Sequence, residues 1–271
     1  MARKRIPQWL QAARTGGWTR AAGERPDWVA RALARAGVLA PAQAEQAVRA
    51  GRVTVGGRRV REPLSLVQPG EGVCLDGRPV DLCARSLVLA FHKPKGVVVA
   101  RSDPGGMRTV FEVLLPRLPP DLARYGWHAV GRLDRDTTGL LLFTNDERFV
   151  AHATKPEVHL PKRYLAQVGA APKDSKLERL RRGIDLHDGP ARPAKARVRG
   201  ERVVELTLTE GRNHQVKRML GAVGLPVTAL HREAIGDLEL DVSESAWRLL
   251  SEDEVRAKLE FEQGGPSPVI P

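Results

Sequence analysis

From Asp27 onward the spacing of apolar and polar positions becomes regular. Val29, Ala30, Leu33, Ala34 and Ala36 recur at helical intervals behind Asp27, a residue able to cap a first turn, and Gly37 ends the run. Pro41 sits where a first helical turn tolerates it, and a second short helix extends to Ala50 before Gly51. The period then drops to two. Arg52-Val53-Thr54-Val55, a Gly56-Gly57 turn and Arg58-Arg59-Val60 spell a hairpin, and Pro69-Gly70 marks a further turn before Gly72–Gly77. Two helices and a small hairpin therefore predict a compact unit over residues 27–82, with a short linker at 81–86.

Beyond the linker, Leu87–Phe91 predicts a buried strand running into His92-Lys93-Pro94-Lys95-Gly96, and Val97–Ala100 is a second apolar stretch. Ser102-Asp103-Pro104-Gly105-Gly106 is loop chemistry. A helix is expected near Glu147–Ala153, stopping before Pro156, and another near Ser175–Arg182. Tyr164–Val168 and Arg202–Thr209 read as strands. Val216, Met219, Leu220 and Val223 form one apolar stripe on a helix from Asn213 to Val223, which Gly224 closes. Strands and helices mix without strict alternation, which predicts an α+β domain over residues 86–258 rather than a doubly wound one. No repeat is visible. Residues 259–271 read as a tail.

Composition narrows the class. The chain has 271 residues, 42% apolar and 28% charged, an ordinary globular balance. Cys74 and Cys83 match no metal or redox spacing, and the seven histidines form no ligand set, so no metal is expected. No apolar run approaches the ~20 residues of a membrane span, and the basic start Met1-Ala2-Arg3-Lys4-Arg5 has no apolar segment behind it. A cytoplasmic protein without membrane contact, monomeric by default, is expected. Charge is uneven: residues 1–85 hold 15 basic and 7 acidic residues, so that they carry +8 of the net +12. Residues 1–26 read as a flexible basic arm, and the asymmetry points to a polyanionic partner, nucleic acid first.

The chemistry concentrates in Gly131-Arg132-Leu133-Asp134-Arg135-Asp136-Thr137-Thr138-Gly139, placed directly before the apolar run Leu140–Phe143. A carboxylate at such a loop–strand junction is held by rigid scaffold yet reaches a cleft, which suits a nucleophile or general base. Asp134, Asp136 and Thr138 fit the signature of haloacid-dehalogenase-type phosphatases, but there the apolar strand precedes the first aspartate. The same residues begin like a calcium loop, yet the twelfth position is Asn145 and the exit is a strand. A capped acidic turn without chemistry is the plain structural alternative. No phosphate- or dinucleotide-binding glycine pattern occurs.

Two resemblances organise these observations. Ala34-Arg35-Ala36-Gly37-Val38 with Ala44–Gly57 resembles the S-four-type RNA-binding domain, although Arg25-Pro26-Asp27 departs from its usual opening. This likeness implies an RNA-facing surface of Arg31, Arg35, Arg49, Arg52, Arg58 and Arg59. The Gly131–Leu142 passage resembles the catalytic motif of pseudouridine synthases, in particular RsuA/RluB-type rRNA enzymes. Lys93-Pro94-Lys95-Gly96-Val97, Lys162-Arg163-Tyr164, Thr209–Met219 and Leu230–Gly236 agree in order.

The resemblance implies an isomerase that works without cofactor on ribosomal RNA or a subunit assembly intermediate. It implies a two-lobed, largely antiparallel mixed sheet with the catalytic cleft between the lobes. It makes Asp134 the catalytic aspartate, Lys217 its cationic partner, Tyr164 the residue that stacks on the uracil or relays its proton, Leu230 a pocket wall and Arg132 the wedge. Lys93, Lys95, Arg135, Lys162, Arg163, Arg212 and Arg218 are expected phosphate contacts by location. The alternatives are a phosphatase using Asp134 and Asp136, and a non-catalytic RNA-binding assembly protein.

Overall fold

The computed structural model describes residues 26–68, 71–80, 82, 86–123, 125–155, 158 and 160–261. The expected arm up to residue 25, Cys83, His159 and the tail from 262 onward lie outside the described residues. The first unit contains β1 (Asp27–Trp28), α1 (Val29–Arg35), α2 (Pro41–Arg49), β2 (Val53–Val55), β3 (Arg58–Val60), β4 (Leu66–Val67), β5 (Val73–Leu75) and β6 (Arg78–Val80). Strands β3-β2-β5-β6 form a four-stranded antiparallel sheet. Leu33, Ala44, Val48, Val53 and Val73, all but closed to solvent, pack its helices onto that sheet. Asp27 does not cap α1. The helix begins from Trp28 without a side-chain cap, and the Asp27 carboxylate instead pairs with Arg31 and, at 3.1 Å, with Arg35.

The second unit runs through β7 (Val88–Lys93), α3 (Val110–Leu114), α4 (Pro120–Ala123), β8 (His128–Val130), β9 (Thr137–Thr144), α5 (Glu147–Thr154), β10 (Lys162–Val168), α6 (Asp174–Arg182), β11 (Ile184–Leu186) and β12 (Gly189–Ala191). It continues with β13 (Lys195–Gly200), β14 (Val203–Leu208), α7 (Gln215–Ala222), β15 (Val227–Ile235), β16 (Leu238–Glu239), β17 (Trp247–Leu249) and α8 (Glu252–Leu259). Val97–Ala100 forms no strand; it contributes one isolated bridge, Val98 to Thr109. Nine of the described strands build one sheet ordered β13-β14-β10-β15-β9-β7-β17, with β16 on β15 and β8 on β9.

Every pairing in that sheet is antiparallel except one, β9 with β15. On one side of this seam, α6 and α7 cover Ala166, Val204 and Leu206 with Leu177, Leu180, Met219 and Leu220. On the other, β7 and β9 are buried on both faces: Leu140 and Leu142 against Phe149 and Val255, Leu141 and Phe143 against Phe111 and Trp127. Double-sided burial explains why Leu140–Phe143 reads as an unbroken apolar run rather than an alternating one. The expected α+β architecture, mixed and mostly antiparallel, is the observed one. Among the described residues, no helix is long and apolar enough to cross a membrane.

At the seam the backbones approach closely. Gly139 of β9 has φ +113°, and a Cβ built there would overlap the backbone of Arg232 on β15. The two units also touch. The buried Asn145 side chain donates to the Arg35 carbonyl at 3.1 Å and accepts from the Leu87 amide at 2.7 Å. Arg31 reaches Glu147 at 3.4 Å, and burial pushes the Glu147 carboxyl above its ordinary value.

Candidate active site

The passage before β9 lies at the mouth of a cleft of about 460 Å³ at the parallel seam. One wall is the Gly131–Asp134 loop; the other is the Thr209–Val216 segment that leads into α7. His214 precedes α7 in a left-handed conformation, φ 49°, and its ring nitrogen stands 3.5 Å from an Asp134 oxygen. One turn on, the Lys217 ammonium lies 3.0 Å from Asp134 and 2.7 Å from Asp136. Lys217 flanks the apolar stripe as expected, and its head turns inward to bridge two carboxylates. The Lys217 hydrogen bond holds Asp136 below the usual carboxylate range. Desolvation pulls Lys217 down, but its bonds to Asp136 and Asp134 outweigh that and leave it raised.

Lys93 works from beneath. It is fully buried, and its ammonium donates to the carbonyls of Thr137 at 2.8 Å, Pro94 at 3.0 Å and Arg135 at 3.3 Å. The expected phosphate contact is thus corrected: Lys93 ties the loop that bears Asp134 to the end of β7. A lysine placed in a strand next to Pro94 looks like a surface cation until the chain folds over it. Burial pushes Lys93 down to about 8, and the charge of Arg232 adds to the shift while Asp136 and Asp134 oppose it.

A depressed lysine contributes stability that is complete above its ordinary value of 10.5 and is lost as pH falls through about 8. Lys93→Met is therefore expected to destabilise more at about pH 9.5 than at about pH 7.5, measured by denaturant unfolding at both. Equal losses at the two pH values would contradict the buried, titrating ammonium.

The floor comes from β10 and β15. Tyr164 and Lys162 point into the cleft from β10, and Leu230 and Arg232 from β15. Tyr164 is directly opposite Arg232 in the strand register. Burial also pushes Lys162 down to about 8. Arg163, between two cleft-lining residues, turns to the other face and pairs with Glu233 at 2.9 Å and with Glu239. Arg132 stands exposed at the rim, Lys95 and Arg135 are exposed beside the loop, and Arg212 and Arg218 share Asp188. Their hydrogen bonds, Arg218 first, hold Asp188 well below the usual carboxylate range.

In the first unit Arg58 and Arg59 are exposed, Arg49 is paired with Glu45 and Arg52 with Asp76. Arg31 is a correction: it is buried in the joint between the units, and Arg35 joins it there through Asp27. Sequence reasoning missed Asp136 as the second anion on Lys217, His214 beside Asp134 and Arg232 beneath the site. Only the i, i+3 spacing of His214 and Lys217 signalled any of this.

The family model described as RNA pseudouridylate synthase matches residues 87–222, and that of the S4 domain matches residues 28–73. Ribosomal large subunit pseudouridine synthase B of Escherichia coli (strain K12) is 38% identical over 217 residues, covering 77% of this chain and 73% of that protein. Ribosomal small subunit pseudouridine synthase A of the same strain is 36% identical over 212 residues, covering 77% of this chain and 89% of that protein. A solved pseudouridylate synthase structure superposes with a TM-score of 0.60 at 30% identity, covering 87% of this chain and 99% of that one.

Proposed function

The chain belongs to the RNA pseudouridylate synthase family, and from that premise we propose that it isomerises a uridine of ribosomal RNA to pseudouridine in the Asp134 cleft. The observation that carries the reading is the Lys217 bridge: an ammonium 3.0 Å from the Asp134 carboxylate sets a cation against it at the mouth of a cleft floored by Tyr164 and Leu230. An ionised carboxylate is the group that the resemblance assigns to attack on the ribose or removal of its proton. The bond from C1′ to N1 breaks with its electron pair going to the base. The base turns, C1′ bonds to C5 as any ester to Asp134 breaks, the C5 proton leaves and N1 takes up a proton. Tyr164 offers a ring for the base to stack on and a hydroxyl to relay that proton.

A uridine in folded RNA must first leave its stack, at about a few kcal/mol, and Arg132 at the rim is positioned to fill the gap. Residues 27–82 dock the RNA, with Arg49, Arg52, Arg58 and Arg59 outward, and residues 86–258 carry out the reaction in the cytoplasm. Lys95 and Arg135 extend the basic surface toward the cleft, where phosphate contacts hold register without reading sequence.

The test is tritium release from uracil C5 in ribosomal RNA taken from cells lacking the protein, as naked RNA and as partly assembled subunits. Release that depends on the protein from either substrate is the expected result. Absence of release from both overturns the reading.

A further inference from the structure

Arg232 takes no part in the Lys217 bridge, yet it borders the same cleft. It is 2% exposed and lines the cleft. Its Nε donates to the Leu140 carbonyl at 2.7 Å, which anchors the guanidinium across the parallel seam. Its Nη2 is sealed from solvent and has no hydrogen-bond partner. A buried donor left unpaired costs about 1–3 kcal/mol, and such donors are few in native folds.

The surroundings say what kind of group this donor suits. Tyr164 faces Arg232 directly across the strand pair and Leu230 precedes it by two residues on the same face. A planar ring laid against Tyr164 and Leu230 therefore presents its edge to the guanidinium, since side chains opposite one another in a ladder stand only about 5 Å apart at Cβ. The local charge is lopsided. Lys217 bridges Asp134 and Asp136, Lys93 lies within electrostatic reach of both carboxylates and of Arg232, and Lys162 lies within reach of Arg232. A poorly solvated site with surplus positive charge favours a ligand that becomes more negative as it reacts. Uracil does this: when C1′–N1 breaks, the electron pair left on N1 is shared with O2 and O4.

We propose that, once the entering base displaces the side chains that now cover it, Arg232 Nη2 donates a hydrogen bond to a carbonyl oxygen of the uracil and stabilises the charge that the base carries between leaving through N1 and rejoining through C5. The guanidinium keeps all its protons throughout; the C5 proton leaves by another route. The inference rests on the pseudouridine synthase reading above and adds a substrate contact to it.

The experiment uses ribosomal RNA transcripts made with uridine, 2-thiouridine or 4-thiouridine, with product nucleosides resolved by chromatography under single turnover. Sulfur is the weaker acceptor, so the contact is tested from the substrate side as well as the protein side. The wild-type protein is expected to convert the plain transcript and to slow when sulfur replaces the contacted oxygen. Arg232→Met is expected to lower the single-turnover rate by about 100-fold with RNA affinity changed less than about threefold, and to abolish the sensitivity to sulfur. Arg232→Lys, which keeps a donor, is expected to recover about tenfold of the loss.

Four results overturn the proposal: a folded Arg232→Met with near wild-type rate, equal sulfur effects in both proteins, a loss confined to RNA affinity as for a phosphate contact, or a wild type indifferent to sulfur at both positions. The last needs no variant, so it decides the matter even if Arg232→Met fails to fold once Leu140 loses its donor. A wild type inert on the plain transcript, both naked and in partly assembled subunits, overturns the functional reading and this inference together.

Discussion

Asp134→Asn is expected to lower the rate of tritium release by about a thousandfold or more while RNA affinity stays within about threefold of wild type. The amide keeps the shape of the carboxylate and an oxygen to face Lys217, but it has neither the charge nor the basicity to act on the ribose. Lys217 retains Asp136 at 2.7 Å, so the ammonium is not left unpaired and the start of α7 has no reason to shift. The loop itself is held by backbone and by Lys93: the Gly96 amide donates to the Arg135 carbonyl at 2.8 Å, and Lys93 holds Thr137. Fold and docking should therefore survive. Single-turnover release and filter binding on the same RNA separate the two quantities. A variant that retains more than about a tenth of the wild-type rate removes Asp134 from the mechanism.

Gly139→Ala is expected to cost about 3–5 kcal/mol and to lower the melting temperature by about 10 °C, or to yield no soluble protein. Two effects add at this position. A φ of +113° is strained for any residue with a side chain, and the new methyl would occupy the space of the Arg232 backbone. Relief would require β9 and β15 to separate, which opens the seam under Asp134 and Lys217, so activity should fall further than stability alone implies. Gly221→Ala is the control. Gly221 is an exposed helical position in α7 where an added Cβ meets nothing within 4 Å, and it should gain about 0.5–1 kcal/mol from helix propensity. If both variants melt close to wild type, the close approach at the seam is wrong.

The elements that could be read from sequence were those whose neighbours are local. The stripe Val216, Met219, Leu220 and Val223 marks one face of α7 wherever that helix goes, and the apolar run after Gly139 marks a buried strand regardless of its partners. Charged residues were less legible, because an arginine codon gives no indication of which side of a sheet it will face. Arg31, Arg163, Arg212 and Arg218 all read as surface cations. Their fates depend on Glu147, Glu233, Glu239 and Asp188, which come from distant parts of the chain. Lys93 and Arg232 went further and became buried, because carbonyls of the folded backbone accept hydrogen bonds from them. Asp27 was misread for the converse reason: a cap is a local inference, and two arginines of the same helix competed for the carboxylate.

The parallel seam also sets an order of events during synthesis. Thr137 pairs with Leu230, whereas β7, which precedes β9 in the chain, supplies its other edge. A growing polypeptide can thus pair β7 with β9 and fold its first unit long before the floor of the cleft exists. At roughly 5–20 residues per second, Asp134 waits about 5–20 seconds for Leu230 and Arg232 to emerge. β8 already covers Leu142–Thr144, but throughout that interval the Thr137–Gly139 stretch of β9 that will receive β15 is open to any other strand, so nascent chains are most exposed to misassembly after Asp134 is made and before residues 227–235 arrive.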